Sequence, residues 1–205
     1  MIIAPVLRRS AEFNESHVYW FGRQVAEHYP DIEYLPFSDT DLAIPHVRID
    51  TTLPKWWAKM EITKHETDEA ILVIDLDTVL LRRVAIPEDR SYILRHFTRP
   101  DQVAGGMALW TPDFRERLAS HFFANPRRHM VDANGDDQRY YLRYFGDELG
   151  RFQDVLPDEI VSYKFTVQHC GVHPRHAFVF YHGEPRPWTP GAELSQAVKF
   201  HDKNQ

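Results

Sequence analysis

The chain has 205 residues, which is enough for one domain with a buried core. Its composition, 43% hydrophobic and 26% charged, is that of a globular protein and excludes disordered and fibrous classes. The net charge of −6 gives no support for nucleic acid as a partner. The single cysteine excludes an internal disulfide and a cysteine zinc cluster. We therefore expect one domain over residues 1–205, and a reducing cytoplasm is the expected location for a chain with one cysteine. No membrane span is expected, because the longest nearly apolar run, 70–81, is too short to cross a bilayer.

The first third of the chain predicts β-α-β order. Residues 2–6 are typical of a short buried strand, and 14–28 carry apolar side chains at the spacing of one helical face. Extended segments are predicted over 32–37 and 47–50. A helix then follows over 51–61, entered through a capping hydroxyl and a proline.

The rest of the chain continues the alternation of strands and helices. The clearest strand is 70–74, which is continuously apolar, as expected for a central strand covered on both faces. An α/β sheet binds ligands beyond the carboxyl ends of its strands, so the polar residues there are the candidate site residues. The further elements predicted are a strand over 102–110, helices over 112–123 and 137–145, a short strand or helical turn over 160–165, and a strand over 177–181.

Two carboxylates, Asp75 and Asp77, stand where the central strand leaves the sheet. At this spacing, extended backbone turns both side chains to the same side. Their mutual repulsion is relieved by a divalent cation, and carboxylate oxygens favour Mg²⁺ or Mn²⁺. The alternative is a turn with two solvated aspartates, which the apolar residues before and after the pair make the weaker interpretation.

Three further segments carry polar groups suited to chemistry. His182, Gly183 and Arg186 follow the last predicted strand and supply an imidazole, a flexible backbone position and a cation, which together suit a diphosphate. The alternative is a proline-rich terminal loop. Residues 134–138 precede a helix, so an aspartate there also suits an N-cap. Lys59 lies among aromatic residues, and the alternative to a role in the site is that its side chain simply extends to solvent.

The order and spacing of these segments resemble glycosyltransferases of the GT-A fold, most of all the glycogenin-like retaining enzymes and their short bacterial and viral relatives. In that family a lysine lies sixteen residues before an Asp-x-Asp motif, as Lys59 lies before Asp75. A small-residue strand follows, matched by residues 104–107. A Gly-Asp-Gln segment is matched by residues 137–138, and a Gly-x-x-Lys-Pro-Trp element by residues 183–188.

The resemblance implies a single-domain, Rossmann-like mixed sheet flanked by helices, and a metal-dependent transfer of sugar from a nucleotide-diphosphate sugar such as a UDP-sugar, with retention. The acceptor stays open among glycan, protein, small molecule and modified nucleobase. The metal, Mn²⁺ or Mg²⁺, would be the only cofactor. The resemblance assigns Asp75, Asp77 and His182 to the metal, Val6, Arg8, Lys59, Gly183 and Arg186 to the donor, and Asp137 and Gln138 to the reacting face of the sugar.

Two other functions fit part of the sequence. The apolar strand and residues 75–80 also resemble the Asp-x-Asp-x-Thr/Val motif of haloacid-dehalogenase-like phosphatases. That family usually carries the motif near its N-terminus, however, and gives no role to the segment 182–188. A catalytically inactive module that binds nucleotide sugars fits the same residues. Both alternatives remain open at this stage.

Overall fold

The computed structural model of the protein describes residues 1–50, 52–191 and 194. The first elements are β1 (Ile2–Ala4), β2 (Val6–Leu7), α1 (Glu15–His28), β3 (Glu33–Tyr34), β4 (Phe37–Ser38), β5 (Val47–Arg48) and a 3-10 helix (Lys55–Lys64). They are followed by β6 (Ile71–Ile74), β7 (Thr78–Leu80), β8 (Tyr92–Arg95), β9 (Val103–Trp110), α2 (Pro112–Ala124), α3 (Pro126–Asp132) and α4 (Asp137–Phe145). The last are β10 (Gly150–Arg151), α5 (Phe152–Val155), β11 (Ile160–Ser162), a π-helical turn (Tyr163–Val167), α6 (Gln168–Cys170) and β12 (Phe178–Phe180).

A mixed sheet with the strand order β10-β8-β9-β6-β1-β3 forms the centre of the fold. β1 pairs in parallel with β3 and β6, and β10 pairs in parallel with β8, whereas β9 is antiparallel to both β6 and β8. Helices cover the sheet, so the predicted α/β class is confirmed. Two smaller sheets, β11-β12-β7 and β2-β4-β5, continue the chain at the ends of the central strands.

The strand β6 is buried on both faces and divides the interior into two cores. Ile71 and Val73 pack into the core that contains Trp57, and Leu72 and Ile74 pack into the core on the other face. All four side chains are at most 3% exposed. The uninterrupted apolar sequence of this strand is therefore required by its position between two cores.

Prolines divide two of the predicted strands. The expected strand over 2–6 is broken at Pro5 into β1 and β2, and the expected strand over 32–37 is broken at Pro36 into β3 and β4. Proline lacks the amide hydrogen that a strand ladder needs, so the chain passes from the central sheet into a smaller one at each of these points. The extended segment expected over 47–50 contains β5.

The helix predicted over 51–61 is a 3-10 helix that begins at Lys55 and runs to Lys64. The buried side chains of Trp57, Met60 and Thr63 are three residues apart, which matches the three residues per turn of this helix type. Pro54 occupies the N-cap position, and no side chain caps the helix. The Thr52 hydroxyl therefore does not act as the expected cap, and Thr51 lies outside the described residues.

The other predicted elements occur close to their expected positions. α4 has the predicted bounds, and α1 begins one residue after its N-cap, Asn14, whose side chain accepts a hydrogen bond from the Ser16 amide. The segment 160–165 contains both predicted alternatives, a strand and then a helical turn. In the part of the chain that the structure describes, no helix has the length and apolar character to span a membrane.

Candidate functional site

The acid pair Asp75 and Asp77 lies in a tight turn at the carboxyl end of β6. The Asp75 amide donates to the Gly106 carbonyl oxygen on β9 over 2.9 Å, and the Thr78 amide donates to the Asp75 carbonyl oxygen over 3.1 Å. The Asp75 side chain is 35% exposed, whereas that of Asp77 is 8% exposed. The backbone of the pair is therefore fixed by the sheet on one side and by the start of β7 on the other.

Each aspartate is paired with one cation. Lys59 Nζ lies 2.6 Å from Asp75 Oδ1 and donates to the Gly105 carbonyl oxygen over 2.7 Å. The Arg186 guanidinium is paired with Asp77 through Nη1 and with Glu12 through Nη2, the latter at 2.8 Å. The lysine comes from the 3-10 helix and the arginine from the segment after β12, so distant parts of the chain meet at the acid pair.

The site holds more negative charge than these cations offset. Burial, and next the charge of Asp75, raise the pKa of the Asp77 carboxyl to about 7, against the opposing effects of Arg186 and Lys59. Burial by itself would lower the pKa of Lys59, but Asp75, Asp137 and Asp77 together outweigh it, so that the lysine pKa is raised. A further cation at this position would stabilise the ionised form of both carboxylates.

Two cavities meet at the acid pair. One, of about 860 Å³, extends toward the loop after β2, and the other, of about 520 Å³, extends toward β9 and the start of α4. Both volumes lie in the range of small-molecule sites. The two cavities share the side chains of Trp56, Lys59, Asp75, Asp77 and Arg186.

The larger cavity contains the predicted donor residues Val6 and Arg8. Arg8 follows β2 directly, and its Nη1 atom is buried without a hydrogen-bond partner among the described residues. A buried guanidinium nitrogen without an acceptor carries a free-energy cost that a bound carbonyl or phosphate oxygen would remove. This cavity is therefore suited to a ligand that presents such an oxygen to Arg8.

The smaller cavity contains the predicted catalytic residues Asp137 and Gln138 at the start of α4. The N-cap of this helix is Asp136, whose carboxylate accepts from the Gln138 amide over 3.0 Å. Asp137 is thus not needed as a cap. It is 2% exposed, its Oδ2 atom has no hydrogen-bond partner among the described residues, and burial raises its pKa to about 6. Gly105 lies next to this oxygen, and a Cβ atom there would be 3.4 Å from it, at the near limit of ordinary van der Waals contact.

His182 and Gly183 also line the smaller cavity. The His182 ring lies between Phe97 and Phe165, with ring centroids 5.5 Å and 5.4 Å away, and its Nε2 atom is 2.7 Å from Ser162 Oγ. Burial lowers the pKa of this imidazole. The lowered pKa favours the neutral ring, which is the form that binds metals, but its Nε2 atom is already hydrogen-bonded to the Ser162 hydroxyl.

The structure brings the sequence-predicted site residues together along the two cavities, while their roles toward metal and donor stay predictions. Within the described residues, no cluster of three or more histidine, cysteine or acidic side chains is arranged to hold a metal by itself. Sequence reasoning missed Glu12, Trp56, Phe97, Ser162 and Phe165. Only Trp56 had a signal, its position three residues before Lys59. The predicted residues found on the cavity walls are Val6, Arg8, Lys59, Asp75, Asp77, Asp137, Gln138, His182, Gly183 and Arg186.

Comparison with known proteins supports the fold. Neither a family model nor a curated protein sequence matches the chain. Two crystal structures of the glycosyltransferase GlyE from Streptococcus pneumoniae TIGR4, one of them the apo form, are similar to it with TM-scores of 0.68 and 0.65 at 12% and 11% identity. Each similarity covers 98% of this chain and 60% of the other, so the chain spans about three fifths of their length. The protein therefore has a mixed α/β fold similar to that of a glycosyltransferase.

Proposed function

We propose that this protein is a metal-dependent glycosyltransferase, which transfers a sugar from a nucleotide-diphosphate sugar, such as a UDP-sugar, to an acceptor with retention. The observation that carries the proposal is the position of Asp75 and Asp77 at the junction of two cavities, between Lys59 and Arg186. A nucleotide sugar has the same division, with a diphosphate between a nucleoside and a sugar. The similarity in fold to a glycosyltransferase supports the same activity.

The donor would place its nucleoside in the larger cavity and its sugar in the smaller one. The buried Arg8 nitrogen would donate to an oxygen of the base or of the diphosphate. On the other side of the junction, the unpartnered Asp137 oxygen would accept from a sugar hydroxyl. Each half of the ligand would satisfy a buried polar atom that has no hydrogen-bond partner among the residues that the structure describes.

The acid pair fits a divalent cation held jointly with the donor. Asp75 and Asp77 provide hard oxygen atoms, and the raised pKa of Asp77 indicates that more positive charge would stabilise them. Oxygens of the diphosphate and water would complete the set, because the described residues include no third acidic or histidine ligand in place. His182 remains the predicted third protein ligand, for which its bond to Ser162 would have to be exchanged.

In the proposed reaction, the bond between the anomeric carbon and the diphosphate oxygen breaks, and its electron pair stays on the diphosphate. The acceptor hydroxyl oxygen bonds to the anomeric carbon, and its proton passes to the departing diphosphate. A bound Mn²⁺ or Mg²⁺ supplies Lewis-acid stabilisation of the leaving group. Lys59 and Arg186 add positive charge on the same side, and the Asp137 carboxylate stabilises the cationic sugar from the other, beside Gln138.

The test is donor binding and turnover by the variant Asp77→Ala. With wild-type protein, a UDP-sugar and Mn²⁺ together should raise the melting temperature, and UDP should be released over time. Asp77→Ala should lose both effects. The matched control is Asp41→Ala, which removes an exposed carboxylate that is paired with Arg48 and lines neither cavity, and it should behave as wild type. Undiminished Mn²⁺-dependent turnover by Asp77→Ala would refute the proposal.

The same experiment, extended by an assay with p-nitrophenyl phosphate as substrate, separates the two alternative functions. A haloacid-dehalogenase-like phosphatase would hydrolyse p-nitrophenyl phosphate and would show no stabilisation by nucleotide sugars. An inactive binding module would be stabilised by a nucleotide sugar but would neither hydrolyse it nor transfer its sugar to any acceptor.

A further inference from the structure

Two large aromatic side chains on the wall of the smaller cavity are exposed to solvent. Trp56 is 45% exposed and Phe165 is 53% exposed. They come from distant parts of the sequence, one from the 3-10 helix and the other from the π-helical turn. Leaving such apolar area in water costs free energy, so two exposed rings on one cavity indicate a binding surface.

The position of Phe165 is fixed in advance of binding. The buried Ser162 hydroxyl accepts from the Phe165 amide over 3.2 Å and is also bonded to His182 Nε2. His182 in turn stacks on Phe165 from one side and on Phe97 from the other, and Phe97 contacts Phe180 at a centroid distance of 6.1 Å. This row of rings leads from Phe180 on β12 to solvent, and it presents the outer part of Phe165 to a ligand.

The polar groups of the same cavity favour a neutral, hydroxyl-rich ligand. Thr98 and Gln138 offer hydrogen-bond donors and acceptors, and Asp136 offers a carboxylate. This carboxylate would repel a phosphorylated or otherwise anionic acceptor, whereas it accepts hydrogen bonds from hydroxyl groups. The cavity, at about 520 Å³, is of small-molecule size rather than a flat surface for a folded partner.

We propose that this aromatic wall is the acceptor subsite and that it binds a neutral glycan. A sugar ring has an apolar C–H face that packs against an aromatic ring and a periphery of hydroxyls that bind carboxylates and amides. The pairing of Phe165 and Trp56 with Thr98, Gln138 and Asp136 meets both requirements. The role of this site as the acceptor subsite rests on the proposed glycosyltransferase function, but its affinity for glycans can be measured without a donor.

The experiment uses the whole chain and saturation-transfer NMR with a panel of neutral disaccharides and methyl glycosides, in the absence of donor. Wild-type protein should bind members of this panel. Phe165→Leu keeps apolar bulk but removes the ring, and should weaken glycan binding by about tenfold, whereas Phe165→Tyr should retain it. Val155→Ala is the matched control, because Val155 is 42% exposed and does not line either cavity.

The outcomes distinguish this inference from the proposed function. Weak glycan binding by Phe165→Leu together with wild-type binding by Val155→Ala and Phe165→Tyr supports the subsite. No binding of any glycan of the panel, or equal binding by Phe165→Leu and wild type, overturns it. If a UDP-sugar with Mn²⁺ neither stabilises the wild-type protein nor is turned over by it, the proposed function alone is overturned, since the glycan measurement contains no nucleotide sugar.

Discussion

Replacing the buried Asp137 by asparagine should stabilise the fold and abolish sugar transfer. Burial, only partly offset by Lys59, raises the pKa of this carboxyl from its ordinary value of 3.8 to about 6. Ionising it at pH 7 therefore costs the folded state up to about 3 kcal/mol, since one pKa unit corresponds to about 1.4 kcal/mol. With relaxation of the surroundings, we expect Asp137→Asn to raise the free energy of unfolding by about 1–3 kcal/mol at pH 7.

The sign of this effect fixes its dependence on pH. A carboxyl whose pKa is raised on folding favours the folded state while protonated, and that contribution is lost as the pH rises from about 4 through about 6. The advantage of Asp137→Asn over wild type should thus be largest above pH 7 and small near pH 4.5. Urea unfolding of both proteins at several pH values measures it, because effects shared by the two proteins cancel.

Asp136→Asn is the matched control for this prediction. Asp136 is the adjacent carboxylate and caps α4 by accepting from the Gln138 amide, a role that asparagine performs equally well. Because the Asp136 charge contributes to the raised pKa of Asp137, this variant should gain stability too, but less than Asp137→Asn. The reasoning about Asp137 would be refuted by a variant less stable than wild type at pH 7, or by a stability difference that stays constant between pH 4.5 and 8.

Three substitutions test the framework of the site, each by urea unfolding. Trp57→Ala should cost about 3–5 kcal/mol, because it empties a large, 2% exposed position in the core; a loss below 1 kcal/mol would contradict this packing. Gly150→Ala should cost about 1–3 kcal/mol, because its Cβ atom would lie 2.4 Å from the buried Tyr92 ring, and Tyr92→Leu should relieve the loss. Lys59→Ala should cost about 1–3 kcal/mol by leaving the partly exposed Asp75 unpaired, and Lys59→Arg should cost less.

The sequence allowed the acid pair to be predicted because its position depends on a local pattern. The apolar run 70–74 identified a strand between two cores, and the turn that contains Asp75 and Asp77 follows directly. In the same way, the aspartates before α4 predicted both a cap and a site residue, and the structure assigns the cap to Asp136. Features that depend on neighbouring residues are available from the sequence alone.

The partners of the acid pair could not be predicted in the same way. Arg186 was expected to bind a diphosphate, and in the structure it is paired with Asp77 and Glu12, which are 109 and 174 residues away along the chain. No local pattern contains such a contact, since it depends on how the last segment returns across the sheet. Ser162, which engages His182, was missed for the same reason.

Element type was least predictable where backbone geometry is decided by packing. The 3-10 helix has buried positions three residues apart, which a search for α-helical spacing assigns to the wrong helix type. The short strands β7 and β8 were missed, since each has only three or four residues and too few alternations for a pattern. These strands nevertheless form part of the frame that holds the site.

The alternation of β6 between two cores also limits how this protein can change. Ile71 and Val73 occupy one core, and Leu72 and Ile74 occupy the other. Replacing one apolar residue of β6 by another is compatible with this arrangement. A single inserted residue, by contrast, would move each side chain after it to the other core and turn Asp75 to the opposite face. Over evolutionary time the length of β6 should therefore vary less than its composition, and insertions should accumulate in loops that do not set the position of the acid pair.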